Sequence, residues 1–357
     1  MIDQAVIEVL RAYSGIGTVL STERYGSGHI NSTFLVTTDT EKRYILQKIN
    51  DSIFKNPEGL MNNILAVTSH IQNKTAVLGG DVDRCTLTVI PTNSGDTLYH
   101  GESGYWRMYL YIERTVAKDR VECAQEFYDC GEAFGAFQAS LADFDASVLL
   151  DVIPNFHNTP WRYEAFLEAL ENDVCGRASS VAAEIEFVKQ RREFAATLER
   201  AHENGTLPLR VTHNDTKLNN ILFDANTNKP VCVIDLDTIM AGYSVNDFGD
   251  SIRFGANTAA EDEMDLSRVS LDLDLYHTYA EGFLKGCNGR LTNTEIELMP
   301  IGARMMTFEC GMRFLTDYLN GDTYFRISRP DHNLDRCRCQ FALVADMERK
   351  EEQMKLI

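Results

Sequence analysis

Short apolar runs separated by polar turns fill the first third of the chain, which is typical of strands. One helix is expected among them, because Asn56 is a suitable N-cap, Pro57 fits the first turn and apolar residues follow at helical spacing. Residues 1–15 predict a further, short amphipathic helix. The order is therefore three strands, a helix and two strands. The predicted strands are residues 17–25, 30–38, 42–50, 84–90 and 105–113.

Beyond residue 118 apolar residues recur at spacings of three and four, which indicates helices. Residues 184–204 predict one helix with a charged outer face, and Pro300 predicts a kink or a new helix start within residues 295–319. Residues 210–237 interrupt the helices with a loop and two short strands. The clearest helix face consists of Phe127, Cys130, Phe134, Phe137 and Leu141.

The change of pattern divides the chain into two predicted domains. A length of 357 residues is more than one ordinary core accommodates. We expect a β-rich N-terminal lobe over residues 1–113 and a larger helical lobe over residues 114–357, which is an α+β architecture.

Composition narrows the possible partners. The chain has 34 basic and 53 acidic side chains, a formal charge of −19, which excludes the basic surface that nucleic-acid binding needs. The acidity serves solubility or attracts a cationic substrate. No apolar run is long enough to span a bilayer, and nine scattered cysteines indicate reduced thiols rather than disulfides. We therefore expect a cytoplasmic protein without a membrane partner, either a monomer or a weak homodimer.

The stretch VTHNDTKLNNILFD, residues 211–224, concentrates polar groups between apolar flanks. Asp215 and Asn220 have the spacing of the kinase catalytic loop HRDxxxxN, although an isolated pair of this kind also fits an Asx turn. An apolar strand, residues 231–234, then ends at Asp235. A carboxylate there is costly unless it is paired or binds a cation. Together these features predict phosphoryl transfer.

Three stretches, HNDTKLNNILFD, VCVIDLDT and YSVNDFGDSIRF, resemble the aminoglycoside phosphotransferase superfamily, which has a bilobal protein-kinase-like fold. Others, including GSGHINSTFLV, YILQKIN, FHNTPWR and MRFLTDYLNGDTYF, are similar to the bacterial N-acetylhexosamine 1-kinases. The similarity extends from about residue 18 to about residue 330. It implies a small antiparallel-sheet lobe with one main helix, a large helical lobe, and the cofactors ATP and Mg²⁺.

The resemblance also implies roles for individual residues. Asp215 would be the catalytic base, and Asn220 and Asp235 would hold Mg²⁺, with Asp237 assisting the metal. His213 would support the backbone of the loop. The literal DFG at residues 247–249 is not interpreted as the metal motif; Asp247 is expected to anchor the catalytic loop instead.

The predicted nucleotide site lies in the N-terminal lobe. Gly26 and Gly28 occupy a turn between two strands, where glycine lets backbone N–H groups approach phosphate, although a plain hairpin turn fits equally well. Lys48 is the candidate for pairing with the phosphates, and Gln47 would point to the opposite face. Backbone groups of Tyr111, Ile112 and Glu113 would contact adenine.

The predicted acceptor is a neutral, polyhydroxylated ring. The resemblance places Arg313 and Tyr324 at sugar-contacting positions, joined by His29 and Phe254, whereas Arg313 and Tyr324 otherwise fit pairing within the helical lobe. The predicted reaction converts ATP and N-acetylglucosamine or N-acetylgalactosamine into ADP and the sugar 1-phosphate. The alternatives are a kinase of an aminoglycoside, choline or a homoserine-like acceptor, and a non-catalytic nucleotide-binding pseudokinase.

Overall fold

The computed structural model describes residues 4–26, 30–118 and 120–355. The strands are β1 Val19–Arg24, β2 Ser32–Thr38, β3 Arg43–Lys48, β4 Val89–Ile90, β5 Tyr99–Gly101, β6 Gly104–Leu110, β7 Thr115–Ala117, β8 Arg210–Thr212, β9 Ile221–Asp224, β10 Pro230–Val233 and β11 Met240–Gly242. The helices are α1 Gln4–Leu10, α2 Pro57–Val77, α3 Ala124–Ser140, α4 Thr159–Asn172, α5 Ala182–Gln190, α6 Arg192–Ala195, α7 Thr197–Glu203, α8 Ser244–Gly255, α9 Leu273–Cys287, α10 Asn293–Leu319, α11 His332–Arg349 and α12 Glu351–Met354.

Two compact units make up the chain, and each is assembled from separate stretches of it. The first unit consists of Met1–Ala117, Ser147–Pro154 and Ile221–Met240. The second consists of Lys118–Ala146, Asn155–Asn220 and Ala241–Ile357.

An antiparallel sheet dominates the first unit, with the order β1-β2-β3-β6-β4 and with β5 also paired to β6. One face packs against α1 through a buried apolar cluster. The opposite face lies towards α2, which begins at its N-cap Asn56, whose side chain accepts a hydrogen bond from the Gly59 N–H. The smaller sheet, in the order β10-β9-β7, completes the unit, and Asp235 follows the end of β10 by two residues.

Helices fill most of the second unit, and two pairs of them approach closely at glycine. A methyl group on Gly135 of α3 would collide with the carbonyl oxygen of Phe283 in α9, and one on Gly282 of α9 would collide with that of Tyr128 in α3. Gly249 of α8 and Gly302 of α10 meet in the same way. These helices therefore pack backbone to backbone.

Several predicted elements differ from the observed ones. Residues 184–204 fall in three helices, α5 to α7, with breaks at Arg191 and Ala196. At the first break the Arg191 N–H donates to the Val188 carbonyl oxygen and its guanidinium donates to that of Phe187. A single α10 runs through Pro300, since burial of its length compensates for one missing hydrogen bond. Only Val89–Ile90 of the strand expected at residues 84–90 forms. The short strands β5 and β7 had no clear signal in the sequence.

Two further expectations bear on the chemistry of the chain. The nine cysteines are free thiols, and Cys337 and Cys339 are buried on α11. No helix within the described ranges has both the length and the apolar content needed to cross a bilayer.

Candidate active site

The catalytic-loop motif lies in the second unit, directly after β8. Asn220 donates from Nδ2 to the backbone oxygen of Asp215 at 2.8 Å and to its Oδ2 at 3.1 Å. Within the described parts of the chain, Asn220 Oδ1 accepts no hydrogen bond, and its carbonyl can therefore ligate a cation. The five-residue spacing thus fixes the Asp215 carboxylate and leaves an oxygen ligand beside it.

Lys217 is a neighbour of Asp215 that the sequence reasoning missed. Its Nζ lies 2.7 Å from Asp215 Oδ1. Burial would lower the pKa of Lys217, but the negative charges of Asp215 and Asp250 outweigh burial and raise it. The ammonium group is therefore charged beside the predicted base, where a phosphoryl group would also need a cation. Its position two residues after Asp215 was the available signal.

Asp247 anchors the backbone of the catalytic loop. Its carboxylate accepts hydrogen bonds from the backbone N–H groups of His213 and Asn214, both at 2.8 Å, and from Gln138 Nε2 at 2.7 Å. Burial raises the pKa of Asp247, against the effect of these donors. This is the anchoring role that the sequence predicted for Asp247. The His213 ring packs edge-on against Phe134 at 5.7 Å.

Two arginines form the centre of a cluster in the second unit. The Arg313 guanidinium lies over the rings of Phe156, Tyr324 and Phe325, at 5.4, 5.9 and 5.5 Å from their centroids. Arg162 donates to the Phe156 carbonyl oxygen. Burial and the nearby Arg313 lower the pKa of Arg162 to about 10, which still leaves Arg162 positive at neutral pH.

Among residues 4–26, 30–118 and 120–355, no carboxylate oxygen lies within 4 Å of a guanidinium nitrogen of Arg162 or Arg313. Many other arginines of this chain do have a carboxylate at that distance. The result is a pair of like charges next to aromatic faces. Such a pair offers donors to a ligand rich in oxygen atoms.

A partly buried histidine links the arginine cluster to the catalytic loop. His157 follows Phe156; its Nδ1 lies 2.8 Å from Glu309 Oε1 and its Nε2 lies 3.3 Å from the backbone oxygen of Asn214. Glu309 is one turn before Arg313 on α10. Burial would raise the pKa of Glu309, but His157 and Arg313 hold it below its usual value. The cluster therefore adjoins the residue before Asp215.

Phe254 occupies a different place from Arg313 and Tyr324. Its side chain is 42 % exposed and lines a cavity of about 360 Å³ within the second unit, together with Thr216 and Leu218. Arg313 and Tyr324 do not line this cavity. His29, the fourth predicted acceptor residue, lies outside the described residues.

The predicted phosphate-binding residues lie in the first unit. Gly26 has a φ of 76°, which glycine adopts without strain; Gly28 falls outside the described residues. Lys48 is exposed and shares the face of β3 that carries the buried Tyr44 and Leu46, whereas Gln47 points to the other face. Lys48 and Gln47 thus lie on opposite faces, as the sequence predicted. The buried Arg107 bonds to Gln47 and is therefore on the face opposite Lys48.

The predicted adenine segment already uses part of its backbone. The Tyr111 N–H donates to the Arg43 carbonyl oxygen at 3.0 Å, and the Ile112 carbonyl oxygen accepts from Thr115 Oγ1 at 2.6 Å. The Glu113 carbonyl oxygen accepts from the guanidinium of Arg84. A ligand here would need the remaining groups or the second lone pairs of these oxygens.

Asp235 and Asp237 have opposite environments although they share one short turn. Asp235 is exposed and has left-handed backbone angles, φ 59° and ψ 58°, which are rare outside glycine and cluster at functional sites. Asp237 is 4 % exposed; its Oδ1 lies 2.6 Å from Arg107 Nη2 and its Oδ2 accepts from Asn31 Nδ2 at 2.6 Å. Asp237 thus has a partner on each carboxylate oxygen, whereas Asp235 is exposed at the surface.

The sequence profile of the phosphotransferase enzyme family, APH, matches residues 21–281, which is well over half of the chain. The chain belongs to this phosphotransferase family. Its predicted fold is confirmed: α+β and protein-kinase-like, with a small antiparallel-sheet lobe that carries one main helix and a large, mostly helical lobe.

Solved structures of similar fold include several small-molecule kinases. A microcompartment-associated aminopropanol kinase is 14 % identical over 99 % of both chains, with a TM-score of 0.63. A spectinomycin phosphotransferase in complex with ADP and spectinomycin is 12 % identical over 99 % of both chains, with a TM-score of 0.59. The choline kinase of Cryptosporidium parvum is 12 % identical over 99 % of this chain and 98 % of its own, with a TM-score of 0.58. Similarity at this level of identity establishes the fold alone.

Proposed function

We propose that this phosphotransferase is an ATP-dependent N-acetylhexosamine 1-kinase. Asp215 would orient the anomeric hydroxyl and accept its proton late in the transfer, because that hydroxyl is more acidic than an ordinary alcohol. Lys217 would hold the Asp215 carboxylate and place a positive charge near the transferred group. The family and the nucleotide-bound structures of similar fold support ATP as the donor.

The metal in this proposal is Mg²⁺, which would neutralise phosphate charge when bound. Asn220 Oδ1 and the exposed Asp235 carboxylate are the oxygen ligands proposed for it. Asp237 is left out of this set because Arg107 and Asn31 occupy its oxygens.

The observation that carries the acceptor assignment is the arginine cluster. Arg162 and Arg313 are two positive groups with no carboxylate within 4 Å in the described residues, next to the loop that holds Asp215, and Glu309 is the acidic group whose charge reaches both. They would repel a cation such as choline or protonated aminopropanol. They would donate hydrogen bonds to the hydroxyl and acetamide oxygens of a sugar, with Tyr324 offering an aromatic face.

An ADP-release assay over a small acceptor panel tests the assignment. We expect turnover with N-acetylglucosamine or N-acetylgalactosamine and none with choline or kanamycin. In Arg313→Met the kcat/KM for the hexosamine should fall by about 10–100-fold, because a directed donor is lost. The matched control is Arg191→Met, which removes the bidentate ion pair with Glu348 and should leave kcat/KM unchanged.

Two results would contradict the proposal. Turnover with the amines but not with the hexosamines would assign an amine-bearing acceptor, and metal-dependent ATP binding without ADP release would indicate a pseudokinase. From the sequence we also propose a cytoplasmic location. We further propose a monomer or weak homodimer, and sedimentation of the purified protein tests this oligomeric state.

A further inference from the structure

A central strand of the first unit carries a fully buried arginine. Arg107 lies on β6 with 1 % of its surface exposed, between Trp106 and Met108, which pack into the apolar core. Removing a guanidinium from water costs several kcal/mol unless partners compensate. Its partners therefore have to account for its presence.

Two separate parts of the unit supply polar partners to Arg107, and Asn31 extends the network from a third. Its Nη2 lies 2.6 Å from Asp237 Oδ1. Gln47 Oε1 on β3 accepts from its Nε at 3.0 Å and from its Nη2 at 2.8 Å. The other oxygen of Asp237 accepts from Asn31 Nδ2 at 2.6 Å, and Asn31 Oδ1 accepts from the Asn50 N–H at 3.0 Å.

The network of Arg107, Asp237 and Asn31 reaches two backbone segments that take part in the proposed reaction. Asp237 belongs to the short turn Leu236–Thr238 that begins immediately after Asp235. Asn31 precedes β2 and lies five residues after Gly26 in the sequence. The hydrogen bond from Asn31 to Asp237 therefore connects the backbone around the proposed metal ligand with the turn predicted to approach phosphate, and the ion pair with Arg107 holds the same Asp237 carboxylate.

The strained backbone of Asp235 adds a reason for such a connection. Left-handed angles at a non-glycine residue persist only where the surroundings determine them. Asp237, held on both carboxylate oxygens, restrains the turn two residues later. A loose turn would let the Asp235 backbone relax and its carboxylate move.

We propose that Arg107 is a positioning residue, which acts through its ion pair with Asp237 to fix the Asp235 carboxylate for a divalent cation. The inference rests on the proposed function, because it assigns the metal to Asp235. The competing role is purely structural, in which the pair only fills the interior of the unit.

Four variants separate these roles. Arg107→Lys keeps the charge but loses the fork that reaches both Asp237 and Gln47. Asp237→Asn keeps the shape but loses the charge. The double variant Arg107→Met/Asp237→Leu removes both buried charges, and such apolar replacements are often neutral or stabilising. Arg191→Met is the control, since it breaks a two-bond Arg–Glu pair in the second unit.

The measurement is Mn²⁺ binding in the presence of ATP, followed by electron paramagnetic resonance, together with the thermal midpoint of each protein. Loss of a residue that orients a metal ligand typically weakens metal affinity by about 10–100-fold. We expect a loss of that size in Asp237→Asn and in the double variant, a smaller loss in Arg107→Lys, and wild-type affinity in Arg191→Met.

The double variant decides between the roles. Recovered thermal stability with Mn²⁺ affinity still lowered supports positioning, whereas wild-type Mn²⁺ affinity in the double variant overturns it. Absence of metal-dependent ATP binding in the wild type would overturn both this inference and the proposed kinase. Metal-dependent ATP binding without hexosamine turnover would remove only the acceptor assignment.

Discussion

Asp215 has one neighbour on each oxygen of its carboxylate. Asn220 holds one oxygen by an amide N–H, and Lys217 holds the other by an ammonium group. The backbone beneath them is fixed by Asp247.

Replacing Asp215 by Asn keeps the shape and the bond from Asn220 but removes the charge that accepts the proton. We expect kcat to fall by about 10²–10⁴-fold, because general-base assistance is lost, with ATP affinity within about twofold of wild type. The ADP-release assay and calorimetric titration of ATP measure the two quantities. An unchanged kcat would remove Asp215 from the mechanism.

Motif spacing is the reason that Asp215, Asn220 and Asp235 could be singled out from the sequence, since each lies at a fixed offset from apolar runs. The ADP-release assay and the Mn²⁺-binding measurement test their predicted roles. Arg107 gave no such signal, because an arginine within a strand normally indicates a solvent-facing position. Its burial depends on Asp237, which lies far away in the sequence.

Among the elements, α3 and α9 pack through glycines that leave no room for a side chain. Gly135→Ala should lower the free energy of unfolding by about 1–3 kcal/mol, because the methyl group meets the Phe283 carbonyl oxygen and overpacks the contact. Gly15→Ala is the control: a methyl group there meets no atom within 4 Å. The urea midpoints of Gly135→Ala and Gly15→Ala are compared with that of the wild type. Equal midpoints would show that α3 and α9 can separate without cost.

The start of α10 predicts a pH dependence. Glu295 is buried and accepts from Arg210 Nε at 2.5 Å, from Ser244 Oγ at 2.7 Å and from the Thr292 N–H at 2.8 Å. Burial would raise the pKa of Glu295, but these donors hold it below the ordinary 4.5. Its stabilising contribution is therefore present above the ordinary value and is lost as the pH falls through the lowered one.

Glu295→Gln should consequently lower the free energy of unfolding by about 1.5–3 kcal/mol at pH 7, the range for hydrogen bonds to a charged group. The difference from wild type should shrink progressively as the pH falls below 4.5, because Glu295 is protonated first in the unfolded chain and only at a lower pH in the folded one. Urea unfolding of both proteins at pH 7, 5, 4 and 3.5 measures this difference in the free energy of unfolding. A difference that stays constant over this range would show that the charge of Glu295 does not contribute.

Helix boundaries were harder to predict than helix existence. The apolar spacing located α3 correctly, since one face of it is buried. The division of residues 184–204 depends on Arg191, whose guanidinium reaches Glu348 on α11. A tertiary contact of this kind overrides local propensity and leaves no periodic signal.

At the scale of the molecule, the first unit is not a continuous domain. A fragment of residues 1–117 would lack β9, which pairs with β7 in the complete chain, and β10, which pairs with β9. It would also leave Arg107 without Asp237. An unpaired buried charge is strongly destabilising. We expect the fragment to show no cooperative thermal transition by circular dichroism, in contrast to the full chain. A sharp transition in the fragment would contradict this.

The interrupted order of the first unit has a consequence for biosynthesis. Arg107 leaves the ribosome well before Asp237, and at about 10 residues per second the nascent chain waits on the order of ten seconds for the carboxylate that neutralises it. During that interval the edge of β7 that later receives β9 is unpaired. Nascent chains stalled between Ala117 and Met240 are therefore the forms of this protein with the greatest need of a chaperone.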